Sequence, residues 1–378
     1  MFYVIAFFAI LYGLILKKGK WLTYFTLFFL WILFAFSFGN ADYMIHLRRY
    51  TEYELLGSQT EWTYNKLMFI FNNLGCSYND FLIVISAFIL CVLYNFIKNH
   101  TAYISLVLSL YFIYPFCLDV TMVRYTLAVS IVYIGFKYLF TGGKNWFLKY
   151  SVCVFLASTI HLSTFFCLLF ALPRFFSNKQ LSKALLIFIS IYFVIMNVFS
   201  QLLVRLTEIQ FLNIGVKLKI VMNASSEMYI SQSIFNYRAK MVIVLLISLF
   251  IYIVIYQWIV KQNIKNCLRV KKQIDFLTIA CGINIITIIF ILLLNISADL
   301  FRLQLSISLI NYVAYAQYFD IRHSLGFDRK VNSMAFTTLV VIFGGIFLTC
   351  SSLYLWVLSS PNFISVFRAL FENNILLN

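Results

Sequence analysis

The sequence predicts an all-α fold, a polytopic bundle of membrane-spanning helices, and three observations support this prediction. First, 63% of the 378 residues are hydrophobic and only 11% are charged, whereas soluble domains carry about 25% charged residues. Second, the apolar runs are continuous and close to the roughly 20 residues that a spanning helix needs. Third, these runs lack the alternation of apolar and polar residues that marks the strands of a transmembrane β-barrel.

About ten full spans can be placed along the chain, and we expect them to form a single integral membrane domain over residues 1–378. They cover residues 2–16, 21–38, 79–97, 101–118, 120–139, 182–204, 239–260, 274–297, 300–319 and 333–357. Two large outer loops are expected at 39–79 and 205–237. Within the first loop, the segment WTYNKLMFIFNNLG has apolar and polar residues at helical spacing, which predicts an amphipathic helix in the membrane interface.

The stretch 146–172 is long for one helix and short for two, and the distribution of charge decides how it crosses the membrane. If it makes a hairpin that turns near His161, the inner loops carry 18 Lys and Arg against 3 acids, and the outer side carries 9 against 10. A single crossing would place eleven of those inner basic residues outside. Basic loops stay in the cytoplasm, so the sequence predicts the hairpin, with both termini on the outer side.

The first apolar run is expected to be an uncleaved span, because its basic residues (Lys17, Lys18 and Lys20) follow it. Basic inner loops also account for the net charge of +16, so we expect no nucleic-acid partner. The eight cysteines are scattered without metal-ligand or disulfide spacing, and no His, Asp or Glu cluster has the spacing of a metal site. We therefore expect no metal and no cofactor.

Ionisable residues inside the apolar stretches are the candidates for chemistry. Arg124, His161 and Arg302 each lie in such a stretch, where a charge costs roughly 2.5–3.5 kcal/mol even on lenient insertion scales. Under the predicted topology they converge with Asp42 at shallow depth near the outer face. The planar fork of arginine suits phosphate oxygens, so the pattern predicts a basic pocket for a lipid-linked pyrophosphate. His161 or Asp42 would accept a proton there, and His161 is preferred because it lies on a buried turn.

Simpler structural interpretations stay open for these residues. Asp299 and Arg302 are three residues apart and could pair on one helix face. Asp119 precedes Arg124 by five residues and could pair with it across little more than one helical turn. His161 could be a hydrogen-bonded histidine that stabilises the hairpin turn.

Two further alternatives concern the first outer loop. Asp42 could cap a helix, because short polar side chains accept hydrogen bonds from exposed amides there. Arg48 and Arg49 are adjacent, so at most one of them points inward as a second-rank phosphate contact, and the other is solvated.

Four landmarks in chain order give the sequence a family resemblance. They are FGNADYMIHLRRY followed by TEWTYNKLMFIFNNLG, then VRYTLA at 123–128, then ASTIHLST at 157–164, and finally the span that Arg302 opens and that ends in Tyr318-Phe319. In this order they resemble the EpsG-like branch of the bacterial Wzy-type polysaccharide polymerases. The chain departs from that pattern at Tyr125, where the family usually has Gln, and at His46, where it often has Tyr.

The resemblance implies a membrane glycosyltransferase of the GT-C-like type in the bacterial cytoplasmic (inner) membrane. Such an enzyme joins repeat units of O-antigen, capsule or exopolysaccharide, carried on undecaprenyl pyrophosphate, at the outer face. The expected partners are the undecaprenyl-pyrophosphate-linked oligosaccharide, membrane lipid and a chain-length regulator. In this hypothesis Arg124 and Arg302 neutralise the departing pyrophosphate.

Other classes of membrane protein would handle the same precursors. A flippase for lipid-linked oligosaccharides would also use intramembrane arginines, but flippases usually show two-fold repeats, and this sequence shows none. A glycan ligase or another lipid-linked glycosyltransferase remains an alternative. A membrane O-acyltransferase would need an early histidine inside a span, whereas His161 lies in mid-chain.

Overall fold

The computed structural model describes residues 2–38, 42–52, 62–191, 242–243, 246–247, 250, 270–293, 301–324, 331–358 and 368–376. Its named elements are all helices: α1 (Phe2–Leu16), α2 (Lys20–Ala35), α3 (Tyr43–Thr51), α4 (Trp62–Asn73), α5 (Tyr78–His100), α6 (Ile104–Ile113), α7 (Phe116–Thr121), α8 (Val123–Thr141), α9 (Trp146–Ile160), a 3-10 helix (Leu162–Arg174), α10 (Lys271–Leu293), α11 (Phe301–Ser324), α12 (Val331–Leu353) and a short π-helix (Tyr354–Leu358). Residues 178–191 are also helical.

Helices occupy most of the predicted spans that fall within the described residues. By length and composition, Tyr78–His100 and Val123–Thr141 are long and apolar enough to cross a membrane, and several shorter apolar helices accompany them. The spans 182–204 and 239–260 lie largely outside the described residues, as does the whole loop 205–237. The all-helical fold is therefore confirmed within the described residues and is consistent with a helical membrane bundle, whereas the number of ten spans stays a prediction.

The boundary between the predicted spans 101–118 and 120–139 is wrong, because three helices replace the two expected. α6 ends at Ile113, and a cis peptide bond joins Tyr114 to Pro115. Proline has no backbone N–H and disrupts a continuing helix. The short α7 follows, and α8 begins only at Val123. This late start places Arg124 in the first turn of α8.

The chain reverses direction at His161, where the sequence predicts the tip of a hairpin. The hydroxyl of Tyr150 in α9 donates to the carbonyl of Cys167 in the returning limb at 2.5 Å, and the rings of Phe147 and Phe175 meet at the open end. The returning limb is a 3-10 helix of 13 residues after an α-helix of 15. A 3-10 helix rises about 2.0 Å per residue against about 1.5 Å in an α-helix. Two limbs of similar length therefore fit into a stretch that is short for two α-helices.

Small residues let the helices around this hairpin pack closely. A Cβ atom on Gly135 of α8 would lie 2.9 Å from the Cβ of Cys153 in α9. A Cβ atom on Gly282 of α10 would lie 2.5 Å from that of Pro173 in the 3-10 limb. Small side chains at such crossings are typical of helices that associate within a membrane.

Helix α4, in the first predicted outer loop, contacts the end of the bundle where the hairpin turns. Near the start of α4, the hydroxyl of Thr63 donates to that of Thr159 at the end of α9, at 2.7 Å. The C-terminal residues reach the same end, since Ser37 and Asn374 form an antiparallel bridge and Tyr3 donates to Glu372 at 3.1 Å. The described residues near both ends of the chain, and the start of α4, therefore lie at one end of the bundle.

Candidate functional site

A direct contact joins the hairpin tip to α11. Nη1 of Arg302 lies 3.1 Å from Nε2 of His161, and Nδ1 of the same ring lies 2.8 Å from Oγ of Ser163. A guanidinium group can only donate hydrogen bonds, so Nε2 of His161 is the acceptor and the ring is neutral. Nδ1 then carries the proton and donates it to Ser163. The bond to Ser163 orients the imidazole, and Nε2 of that ring then holds the guanidinium group of Arg302.

Tyr125 of α8 contacts both residues of this pair. Its hydroxyl donates to the backbone carbonyl of Arg302, and its ring meets the His161 ring edge-on, with centroids 5.4 Å apart. Sequence reasoning treated Tyr125 only as a departure from the family pattern. No spacing in the sequence signalled this contact, because it depends on how α8 packs against α11 and the hairpin tip.

Both intramembrane arginines stand at the start of their helices. Arg124 is the second residue of α8, and Arg302 is the second residue of α11. Unpaired amides and the helix dipole make the N-terminal end of a helix favourable for anions. Two helix starts, each carrying a guanidinium group, therefore create a strongly anion-attracting region.

Asp42 lies beside these arginines. It occupies the N-cap position of α3, but its side chain makes no capping hydrogen bond, so helix capping does not account for it. Burial raises the pKa of Asp42 above its ordinary value, and the charges of Arg302, Arg124 and Arg49 act in the opposite direction. Three guanidinium groups from three helices therefore lie close enough to act on one carboxylate.

Helix α3 directs one of its faces toward the arginines. Asp42, His46 and Arg49 follow one another at helical spacing and are buried or half-buried, whereas Met44 and Ile45 are exposed. We call this the Asp42–His46–Arg49 face, and the charge of Arg124 acts on both its aspartate and its histidine.

Arg48 points away from that face. It forms an ion pair with Glu52, with Nε and Oε2 2.8 Å apart, and its side chain is 73% exposed. Of the two adjacent arginines, Arg49 is therefore the one whose charge acts on Asp42 and on His46.

Asp119 has partners other than Arg124. Its carboxylate accepts from the hydroxyl of Tyr111 at 2.7 Å, and its carbonyl accepts from the hydroxyl of Thr126 at 2.9 Å. These bonds hold the junction of α7 and α8, so Asp119 is a structural carboxylate that supports the start of α8. Asp299, the other proposed partner of an arginine, lies outside the described residues.

The structure thus brings His161 and Arg302 into contact, and the charges of Arg124, Arg302 and Arg49 act on Asp42. Arg48 faces away from them. Within the described part of the chain, no group of three or more His, Cys, Asp or Glu side chains could hold a metal ion. The chemical roles of these residues stay predictions.

Comparison with protein families gives one informative match. The sequence model described as the EpsG family matches residues 20–362, which is most of the chain. Comparisons with the curated proteins and with the solved structures find no match.

Proposed function

This chain belongs to the EpsG family of membrane proteins of polysaccharide biosynthesis, and from that premise we propose that it is a repeat-unit polymerase. It transfers a growing glycan from undecaprenyl pyrophosphate onto another lipid-linked repeat unit at the outer face of the cytoplasmic membrane. The observation that best supports this function is the arginine arrangement, in which Arg302 is held by His161 and acts together with Arg124 and Arg49 on Asp42.

The arginines bind the leaving group. When the bond between the anomeric carbon and the pyrophosphate oxygen breaks, negative charge develops on the pyrophosphate. Guanidinium groups fixed in advance stabilise that charge without rearranging during the reaction. Arg124 and Arg302 are the main contacts in this proposal, and Arg49 is the second-rank contact because it lies on the Asp42–His46–Arg49 face.

Asp42 is the better candidate for the general base. The hydroxyl of the acceptor sugar attacks the anomeric carbon, its proton passes to a carboxylate oxygen of Asp42, and undecaprenyl pyrophosphate leaves. Nε2 of His161 already accepts from Arg302, and Nδ1 already donates to Ser163. His161 therefore has no lone pair for the acceptor proton in this arrangement, and we assign it the task of positioning Arg302.

The location of the site fits a substrate whose polyprenyl tail lies in the bilayer and whose sugars lie in water. Arg124 and Arg302 stand at the starts of apolar helices, so the pyrophosphate would sit at shallow depth, with its polyprenyl tail in the bilayer and its sugars under the first outer loop. In this proposal the chain is multi-pass, both termini lie outside, and a chain-length regulator acts on the same product.

The experiment is polymerisation by the purified protein in detergent micelles, with a lipid-linked repeat unit as the only substrate. The wild-type protein should produce a ladder of glycans on a gel, whereas Arg124→Ala and Arg302→Ala should leave single repeats. A flippase needs two separated compartments and would make no polymer in micelles. A ligase would transfer the glycan only when a different acceptor is added, so failure of the wild-type protein to form a ladder would exclude the polymerase.

A further inference from the structure

A second histidine lies on the face of α3 that meets the arginines. His46 follows Asp42 by one helical turn and is only 3% exposed. Its ring packs edge-on against Tyr64 of α4, with ring centroids 6.0 Å apart. The proposed reaction uses Asp42 and Arg49 from this face but gives His46 no part.

One nitrogen of this buried ring has no partner. Nδ1 of His46 is buried and makes no hydrogen bond. Buried polar atoms are hydrogen-bonded with few exceptions, and a bound ligand is one explanation for an exception. If this position served packing against Tyr64 alone, a phenyl ring would fill it without leaving a polar atom unsatisfied.

The surroundings of His46 favour an anion. Burial, and after it the charges of Arg124 and Arg49, lower the pKa of His46 to about 3. The imidazole is therefore neutral at physiological pH and has one N–H group to donate. A ligand held by the neighbouring guanidinium groups would be rich in acceptor oxygens, and these would satisfy Nδ1 in the tautomer that carries its proton there.

We propose that His46 is a further substrate contact, and that its Nδ1–H donates a hydrogen bond to an oxygen of the lipid-linked pyrophosphate. The inference rests on the proposed function, because it takes the pyrophosphate as the occupant of the arginine site. A neutral donor restricts the orientation of the bound pyrophosphate without adding positive charge to the site. Such a contact is made before and during the reaction, so its loss raises KM and leaves kcat nearly unchanged.

The test compares one variant that keeps a ring and removes its polar atoms with another that gives up the ring and keeps an N–H donor. His46→Phe keeps the ring packing and removes the donor, whereas the amide of His46→Asn places an N–H group close to the position of Nδ1. Ile45→Ala, on the exposed side of the same helix, is the matched control. Affinity for undecaprenyl pyrophosphate, KM, kcat and thermal stability are measured for each purified protein.

We expect His46→Phe to weaken binding and raise KM by about tenfold with kcat within about twofold, and His46→Asn to recover most of the loss. If His46→Phe and the wild-type protein bind undecaprenyl pyrophosphate with equal affinity, the proposed contact is overturned. The polymerase function is tested separately, because it requires only that the wild-type protein forms a ladder of glycans. If His46→Phe does not fold, His46→Asn is compared with His46→Asp, whose carboxylate repels the anion, and equal binding by these two would overturn it. If the wild-type protein neither binds the lipid nor forms a ladder, the proposed function fails and this contact fails with it.

Discussion

Arg302 and His161 are 141 residues apart in the sequence, yet Nη1 of the arginine donates a hydrogen bond to Nε2 of the histidine across 3.1 Å. This contact ties the start of α11 to the tip of the hairpin. Because the guanidinium group is a donor only, the histidine must be neutral and must accept. In this pair the imidazole of His161 holds the guanidinium group of Arg302 in place.

If His161 positions Arg302, an acceptor of the right length should replace it in part. The amide oxygen of His161→Gln can take the place of Nε2, so we expect about a tenfold loss of kcat/KM, against a loss on the order of 10² or more for His161→Leu. Steady-state polymerisation by the two purified variants measures this. If His161 were the general base, both variants would lose activity to the same extent.

Asp42 should control the acid side of the pH profile. Burial raises its pKa above the ordinary value of 3.8, and the base must be ionised to work. The rate should therefore fall as the pH drops through this raised pKa, at a higher pH than an exposed aspartate would give. Asp42→Asn should lower the rate by a factor of roughly 10²–10⁴. Asp42→Glu should keep part of the activity, and that activity should still depend on pH. Full activity of Asp42→Asn would remove Asp42 from the mechanism.

Arg48 and Arg49 form a matched pair for testing the orientation of α3. Arg49→Ala should lower kcat/KM by about tenfold, since a charged contact to phosphate is lost. Arg48→Ala should stay within about twofold, because an exposed ion pair such as Arg48–Glu52 contributes little. Equal losses in the two variants would contradict the assignment of the Asp42–His46–Arg49 face.

The close crossing of α8 and α9 should be sensitive to added volume. A Cβ atom on Gly135 would lie 2.9 Å from the Cβ of Cys153 and 3.1 Å from a ring atom of Tyr150. Gly135→Leu should therefore lower the free energy of unfolding by about 1–3 kcal/mol, which thermal unfolding in detergent would register. Gly75, whose Cβ would meet nothing within 4 Å, lies at a left-handed turn (φ 75°), so Gly75→Asn is the mild control.

Much of this fold follows from the sequence because hydropathy and charge are local properties. They predict the helical bundle, and the charge balance predicts a chain reversal near His161. The break at Pro115 was missed because the runs on both sides of it are equally apolar. The 3-10 limb was missed because hydropathy does not distinguish helix types with different rises per residue.

The candidate site was harder to predict than the fold. Buried charges drew attention to Arg124 and Arg302, since a charge at bilayer depth is costly wherever it lies. The bond from Tyr125 to the Arg302 carbonyl and the burial of His46 depend on how distant helices pack. No spacing within one helix encodes those contacts. A single sequence therefore does not distinguish Tyr125 and His46 from aromatic residues that only pack in the core.

The affinity of the purified protein for undecaprenyl pyrophosphate, compared with that of Arg124→Ala and Arg302→Ala, tests the central claim most directly. We predict that each substitution weakens binding by about tenfold to one-hundredfold, because each removes a charge-assisted hydrogen bond to a phosphate oxygen. Wild-type affinity in both variants would contradict a pyrophosphate site built on these two arginines.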